Sequence, residues 1–158
     1  EFSMTTVVGE VAYLLEGTAA KREVRLQCDL NDGPVMVCLS EGEVRQILFN
    51  LIRNAVQASP PGGEVNVKLK EQAEELFVHV RDQGPGISAE VLPHIFDPFF
   101  TTKHGVSEPG MGLGLSVSRS LIEAMGGRID VVGGSGAGTE FVAVFTRSIE
   151  VLEASGDD

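Results

Sequence analysis

The residue that most constrains how this chain can fold is an aspartate at the end of a strand. Leu76, Val78 and Val80 alternate with Phe77, His79 and Arg81, the period-two signature of a strand covered on one face. One more step of the same alternation puts Asp82 on the aliphatic face. A carboxylate there needs donors, because a charge taken out of water without a partner is costly. Gly84 and Gly86 follow at once, and residues without a Cβ leave room for a ligand to approach the backbone. The same letters also fit an ordinary strand-end turn, for which Asp and Gly are the commonest residues.

A second glycine turn, Gly110-Met-Gly-Leu-Gly-Leu115, opens a helix with Leu115, Leu121, Ile122 and Met125 at helical spacing. Gly126-Gly127 closes that helix as a left-handed cap. Glycines ahead of a helix N-terminus offer free N–H groups and a favourable dipole to phosphate. The spacing is neither that of a dinucleotide fingerprint nor that of a P-loop. The turn is therefore another kind of phosphate cradle, or a flexible connection. Between the two glycine turns, Ser88-Ala-Glu90 starts a short helix interrupted by Pro93. The following loop carries Phe96, Phe99 and Phe100, three of the chain's eight phenylalanines, then Thr101-Thr-Lys103. Phenylalanines beside glycines predict a lid, from Pro98 to Met111, that packs down when a ligand orders it.

The length of 158 residues suits one domain, and 42% hydrophobic residues can fill a core. A formal charge of -11 argues against nucleic acid or an anionic membrane surface as a general partner. A nucleotide stays possible, because the field is screened over roughly 8 Å at physiological salt. No apolar run reaches membrane-spanning length and no signal peptide is visible. Cys28 and Cys38 lack metal-type spacing and read as reduced structural thiols.

Residues 5 to about 22 form a first helix, capped by Thr5 or Thr6, with Val8, Val11, Leu14 and Leu15 as its apolar stripe. Val24, Leu26, Cys28 and Leu30 alternate in one strand and Val35–Leu39 makes another, with Asn31-Asp-Gly33 as the hairpin turn between them. Ser40 and Glu43 give a capping box for a helix over about 41 to 59. Val44, Ile47, Leu48, Leu51, Ala55 and Ala58 are its buried stripe; Glu43, Gln46, Asn50, Arg53, Asn54 and Gln57 are its polar one. Asn50 and Asn54 are spaced i,i+4 and share a face. Asn is a poor helix-interior residue, since its amide competes for backbone hydrogen bonds. Two at this spacing suggest that the amide oxygens are needed, for instance to hold a hard cation such as Mg²⁺ beside phosphates. A solvated polar face is the alternative. Pro60-Pro61-Gly62-Gly63 ends the helix. A hairpin follows, with Val65, Val67 and Leu69 in its first strand, and two last strands run at Arg128–Val132 and Thr139–Phe145 around a Gly133–Gly138 connection. Residues 147 to 158, with Glu150, Glu153, Asp157 and Asp158, read as an acidic tail or linker.

With these residues assembled, the chain resembles the catalytic ATP-binding domain of sensor histidine kinases, in the superfamily that also holds DNA gyrase, MutL and the Hsp-type chaperones. The resemblance covers roughly residues 5 to 146, and its motifs occur in family order. Asn50-Leu-Ile-Arg-Asn54 resembles the N box and Asp82-Gln-Gly-Pro-Gly86 the first G box. Phe96-Asp-Pro-Phe-Phe-Thr-Thr-Lys103 resembles the F box and Gly110–Leu115 the second G box. Gly136-Ala-Gly-Thr139 fits a further glycine motif.

The resemblance implies an α+β fold: a two-layer sandwich of a mixed, mostly antiparallel five-stranded sheet covered on one face by three main helices. It implies ATP and Mg²⁺ as cofactors and residues 1–146 as the catalytic domain. By position Asn54 would ligate Mg²⁺, and Asn50 would support it or contact phosphate. Asp82 would accept from the adenine amino group, with Gly84, Gly86, Ile87 and Thr139 nearby. Phe99, Thr102 and Lys103 would approach the nucleotide from the lid. Gly110, Gly112, Leu113, Gly114 and Leu115 would hold the phosphates. Lys103 joins Asn50 as an expected catalytic residue, because a basic residue common in the family is replaced here by Gln57, leaving Lys103 or Arg53 to supply the cation. Met111 stands where the second G box usually has Thr.

ATP-hydrolysing members of the superfamily carry a Glu as general base one turn before the metal-binding Asn. Here that position is Asn50, which cannot take a proton. This favours the histidine-kinase branch, where the nucleophile is an imidazole from another domain and transfer depends on positioning and charge stabilisation. None of His79, His94 and His104 is followed by an acidic residue in an apolar helical pattern, as the family's phosphoacceptor is. The phosphoacceptor and dimerisation domain is thus expected elsewhere in the kinase, with a response regulator downstream and a cytoplasmic location. Two alternatives remain open: an ATP-gated module of the gyrase, MutL or chaperone type, and a silent nucleotide sensor.

Overall fold

The computed structural model describes residues 1–30, 33–98, 114–133 and 138–147. In chain order these form β1 (Phe2–Ser3), α1 (Met4–Lys21), β2 (Arg25–Asp29), β3 (Met36–Val37), α2 (Glu41–Ala58), β4 (Glu64–Gln72), β5 (Glu75–Arg81), α3 (Gly114–Ala124), β6 (Arg128–Val132) and β7 (Glu140–Thr146). A 3₁₀ turn, Leu92–His94, lies between β5 and α3 among the described residues.

Alternation builds the sheet. In the β4–β5 hairpin Val67 faces Val80 and Leu69 faces Val78. β7 pairs antiparallel with β5 and sets Phe141 beside Val80, Ala143 beside Val78 and Phe145 beside Leu76. β6 adds Val131 beside Phe141 and Ile129 beside Ala143. β2 joins the far edge parallel to β4, giving the order β2-β4-β5-β7-β6. Rows of aliphatic and aromatic residues therefore run across one face. The helices bury that face, with α2 packed between α1 and α3. Ile47, Leu48, Leu51, Ile52, Ala55 and Val56 of α2 are fully buried, which makes this helix the centre of the core. The mixed five-stranded sheet under three helices is the expected α+β sandwich.

Several local expectations change. α1 starts at Met4, capped by Ser3, whose Oγ accepts from the Thr6 N–H at 3.3 Å. Its buried stripe is Met4, Val7, Val8, Val11, Ala12, Leu15 and Ala19, while Leu14 is 66% exposed. The hairpin predicted across Asn31–Gly33 does not form: β2 pairs with β4, and β3 pairs antiparallel with β1, Phe2 facing Val37. A turn signal cannot weigh a distant competitor, and β4 offers β2 five paired positions. Ser40 is the N-cap of α2 but makes no side-chain capping bond, so the capping box is present in sequence only. Ser88 starts no helix; its carbonyl and hydroxyl accept from Val91 in a tight turn that leads into the 3₁₀ turn at Pro93. Cys28 and Cys38 are free and exposed, so neither is a core thiol.

The end of α3 follows the sequence closely. Gly126 adopts a left-handed conformation, and the Gly127 N–H donates to the Ile122 carbonyl at 2.9 Å, closing the helix before β6.

Candidate functional site

Asp82 is 2% exposed, on the helix side of the sheet where the β5 alternation put it. The fold supplies its donors from the backbone. Oδ1 accepts from the Gly84 N–H at 2.8 Å and from the Thr139 N–H at 3.2 Å. The Asp82 N–H in turn donates to the Thr139 carbonyl at 2.9 Å, so the ends of β5 and β7 are clamped on this one residue. Among the described residues Oδ2 accepts no hydrogen bond. Burial pushes the Asp82 carboxyl above the ordinary carboxylate range, against the two backbone bonds and the nearby Arg81 charge, which favour ionisation.

Two glycines make the clamp possible. A Cβ on Gly84 would lie 2.5 Å from the Ala58 carbonyl oxygen, so the turn after β5 presses on the C-terminus of α2. The space that a glycine opens there is filled by protein backbone, not left for a ligand. Gly138, with φ of +78°, would bring a Cβ into collision with the Asp82 carbonyl. The turn is fastened further where the Gln83 N–H donates to Ser59 Oγ at 3.3 Å and the Glu64 N–H donates to Gln83 Oε1 at 2.8 Å.

On α2, Asn50 and Asn54 are both half-buried, with Arg53 half-buried between them. The Asn50 amide nitrogen donates across to α3, to Ser118 Oγ at 3.1 Å and to the Gly114 carbonyl at 3.3 Å. Asn54 makes no hydrogen bond and Arg53 no ion pair among the described residues. Gln57 is buried, and its main-chain carbonyl accepts from Arg22 Nη2 at 2.9 Å. It belongs to the packing of helix ends, not to a solvated polar stripe. Gly114 begins α3 beside Asn50, and the half-buried Leu115 turns its side chain to the core. Gly86 and Ile87 lie half-buried past the clamp, Ile87 against the core.

The chain thus brings Asn50, Asn54, Asp82, Gly84, Gly86, Ile87, Gly114, Leu115 and Thr139 into two linked groups, one on α2–α3 and one at the β5–β7 ends. Phe99, Thr102, Lys103, Gly110, Gly112 and Leu113 lie outside the described residues, as do Met111, His104 and Gly136. Phe96 is fixed: its ring meets Phe141 edge-on, at 6.4 Å between centroids, and Arg119 stands 5.2 Å over it.

The sequence reading missed Ser118, which is fully buried on the core side of α3. The available signal was a hydroxyl at core spacing, three residues after Leu115 and four before Ile122. His79 and His94 pair with Glu140 at 3.1 Å and Asp97 at 3.0 Å in a strand and a turn. Neither sits on a helix in an apolar pattern.

A buried strand-end acid held by backbone amides, a helix with paired asparagines and a glycine-led second helix thus lie in one α+β sandwich. The family described as histidine kinase-, DNA gyrase B- and HSP90-like ATPase matches residues 40–149, and the chain belongs to it. Sporulation kinase A of Bacillus subtilis is 34% identical over 145 residues, which are 92% of this chain and 23% of that protein. The nucleotide-free catalytic domain of the histidine kinase ThkA superposes with a TM-score of 0.82 at 29% identity, covering 94% of this chain and 95% of that one. ThkA is also known in complex with the response regulator protein TrrA, at a TM-score of 0.79 and 27% identity over 94% of this chain and 42% of that one. Full-length ShkA in complex with AMPPNP gives 0.78 at 29% identity, over 90% of this chain and 29% of that one. Within the family the chain therefore falls with the catalytic ATP-binding domains of sensor histidine kinases, not with the gyrase or chaperone modules. It spans less than a third of the length of the curated relatives it matches, 13% to 29% of each. No helix among the described residues is long and apolar enough to cross a membrane.

Proposed function

We propose that the domain binds Mg-ATP between α2, the turn after β5 and the start of α3, and delivers the γ-phosphate to a histidine on a separate phosphoacceptor and dimerisation domain. The observation that carries this is Asp82: a nearly buried carboxylate whose Oδ1 is taken by two backbone donors while Oδ2 has none among the described residues. Such a group suits one external N–H donor, and the adenine amino group provides it. Gly84, Gly86, Ile87 and Thr139 shape the surroundings of the base.

The donor set at the other end suits Mg²⁺. Among the described residues Asn54 makes no hydrogen bond, and Asn50, with its nitrogen turned to α3, has no partner on its oxygen; amide oxygens are hard ligands. Bound there beside the phosphates, Mg²⁺ would neutralise charge on the β- and γ-oxygens. Asn54 is assigned as ligand, with Asn50 as second ligand or phosphate contact. The backbone leading into α3, from Gly110 through Gly112, Leu113 and Gly114 to Leu115, is assigned to the phosphates, with Phe99, Thr102 and Lys103 completing the nucleotide's surroundings.

Asn50 cannot accept a proton, so no residue at that position activates water. The incoming imidazole nitrogen forms the bond to phosphorus as the bond to the bridging oxygen of ADP breaks, and ADP leaves with that electron pair. Lys103 supplies positive charge to the transferring group, in place of the basic residue absent at Gln57. The ThkA complex with TrrA supports a response regulator as the downstream partner. The domain would work on the cytoplasmic side of whatever kinase carries it, with residues 1–146 as the catalytic unit and 147–158 as tail or linker.

The test is calorimetry with Mg-ATP and Mg-ADP, together with transfer from labelled ATP to a supplied phosphoacceptor domain. Binding of both nucleotides, transfer to the histidine and negligible phosphate release by the domain alone are expected. No binding of either nucleotide would sink the proposal, and vigorous hydrolysis would move the domain to the gyrase-like branch.

A further inference from the structure

We propose that Ser118 is a positioning residue for Asn50, fixing which end of its amide faces the nucleotide. The acceptors on α3 set the orientation. The Gly114 carbonyl can only accept, so the group that Asn50 turns toward α3 is its NH₂. The two amide protons serve two acceptors, and the bond to Ser118 Oγ at 3.1 Å is shorter than the one to Gly114 at 3.3 Å. Ser118 is fully buried, so no water competes for its hydroxyl.

A flipped amide would set its oxygen against the Gly114 carbonyl. With the nitrogen held on α3, Oδ1 faces away from that helix. Without Ser118, only the longer bond to Gly114 would oppose rotation of the side chain. The bond to Ser118 also ties α2, which carries both asparagines, to the second turn of α3. The orientation of the amide stands on these contacts alone; the role given to Oδ1 rests on the nucleotide reading above.

Two measurements separate those statements. On the nucleotide-free domain, NMR exchange of the Asn50 side-chain NH₂ is compared with that of Asn66, which is exposed on β4. Slow exchange at Asn50, accelerated in Ser118→Ala and in Ser118→Cys, is expected; Cys keeps the shape, with a somewhat larger atom, but accepts poorly. Exchange at Asn50 as fast as at Asn66 in the wild type would overturn the inference. By calorimetry both variants should bind Mg-ATP about three- to tenfold more weakly, the worth of one neutral hydrogen bond. Metal-free ADP affinity should stay at the wild-type value, and Ser118→Thr should restore Mg-ATP binding. Equal Mg-ATP affinity in the Ala and Cys variants, or equal weakening with and without metal, would refute it. A wild-type domain that bound no nucleotide would remove the functional reading, while a protected Asn50 amide would still establish the contact.

Discussion

Replacing Asp82 by Asn separates stability from recognition, because both backbone donors fall on Oδ1 while the proposed adenine contact falls to Oδ2. In Asp82→Asn the amide oxygen can take the place of Oδ1 and keep both backbone donors, at 2.8 Å from Gly84 and 3.2 Å from Thr139. The buried charge disappears with its desolvation penalty. The variant should therefore be as stable as the wild type or more stable at neutral pH. The dependence on pH has a definite sign. Burial raises the folded pKa of Asp82 above its unfolded value, so the folded wild type holds that proton more tightly. Wild-type stability relative to the Asp82→Asn variant falls as pH rises from the ordinary carboxylate value, about 3.9, toward the raised folded value, and is level above it. Recognition moves the other way. The amide NH₂ replaces Oδ2 and meets the adenine amino group donor to donor. The loss of a hydrogen bond to a charged acceptor, about 1.5–3 kcal/mol, corresponds to roughly ten- to a hundredfold in Kd. GTP, which carries a carbonyl where adenine has its amino group, should lose less or gain. Urea unfolding across the acid range and calorimetry with ATP and GTP read both effects. Unchanged ATP affinity would refute the adenine assignment. A destabilised variant would show that the backbone donors need the full charge.

Asn54→Ala should bind metal-free ATP like the wild type and lose the gain that Mg²⁺ confers, measured by titrating Mg²⁺ in the calorimeter. Gly84→Ala forces a Cβ to 2.5 Å from the Ala58 oxygen, so the turn must shift. It should lower the unfolding midpoint and weaken ATP together, checked by thermal melts beside binding. Ile122→Ala removes a fully buried side chain between α3 and the sheet and should cost about 2–5 kcal/mol in urea unfolding. Arg45→Ala breaks two exposed pairs, with Glu10 at 2.6 Å and Glu41 at 2.9 Å, and should cost less than about 1 kcal/mol in the same assay.

The pieces legible from the letters are those whose signal is periodic and local. The β4–β5 hairpin, the buried stripe of α2, the Gly126 cap and the inward position of Asp82 all follow from residues a few places apart, because side-chain direction is set by the strand and helix periods. The motif order also sufficed to suggest the family and the α+β sandwich. Which element pairs with which was settled only by long-range packing. The Asn31–Gly33 turn signal lost to the longer edge that β4 offers β2, and within Val35–Leu39 it is Met36 and Val37 that pair with the N-terminal Phe2–Ser3. Packing settled what satisfies Asp82 as well: the donor on Thr139 is 57 residues away, and no local pattern contains it. Ser118 and Asn50, 68 residues apart, are the same case. A buried polar atom must find a partner, and the letters announce the need; only the packing of α2 against α3, and of β5 against β7, names the partner.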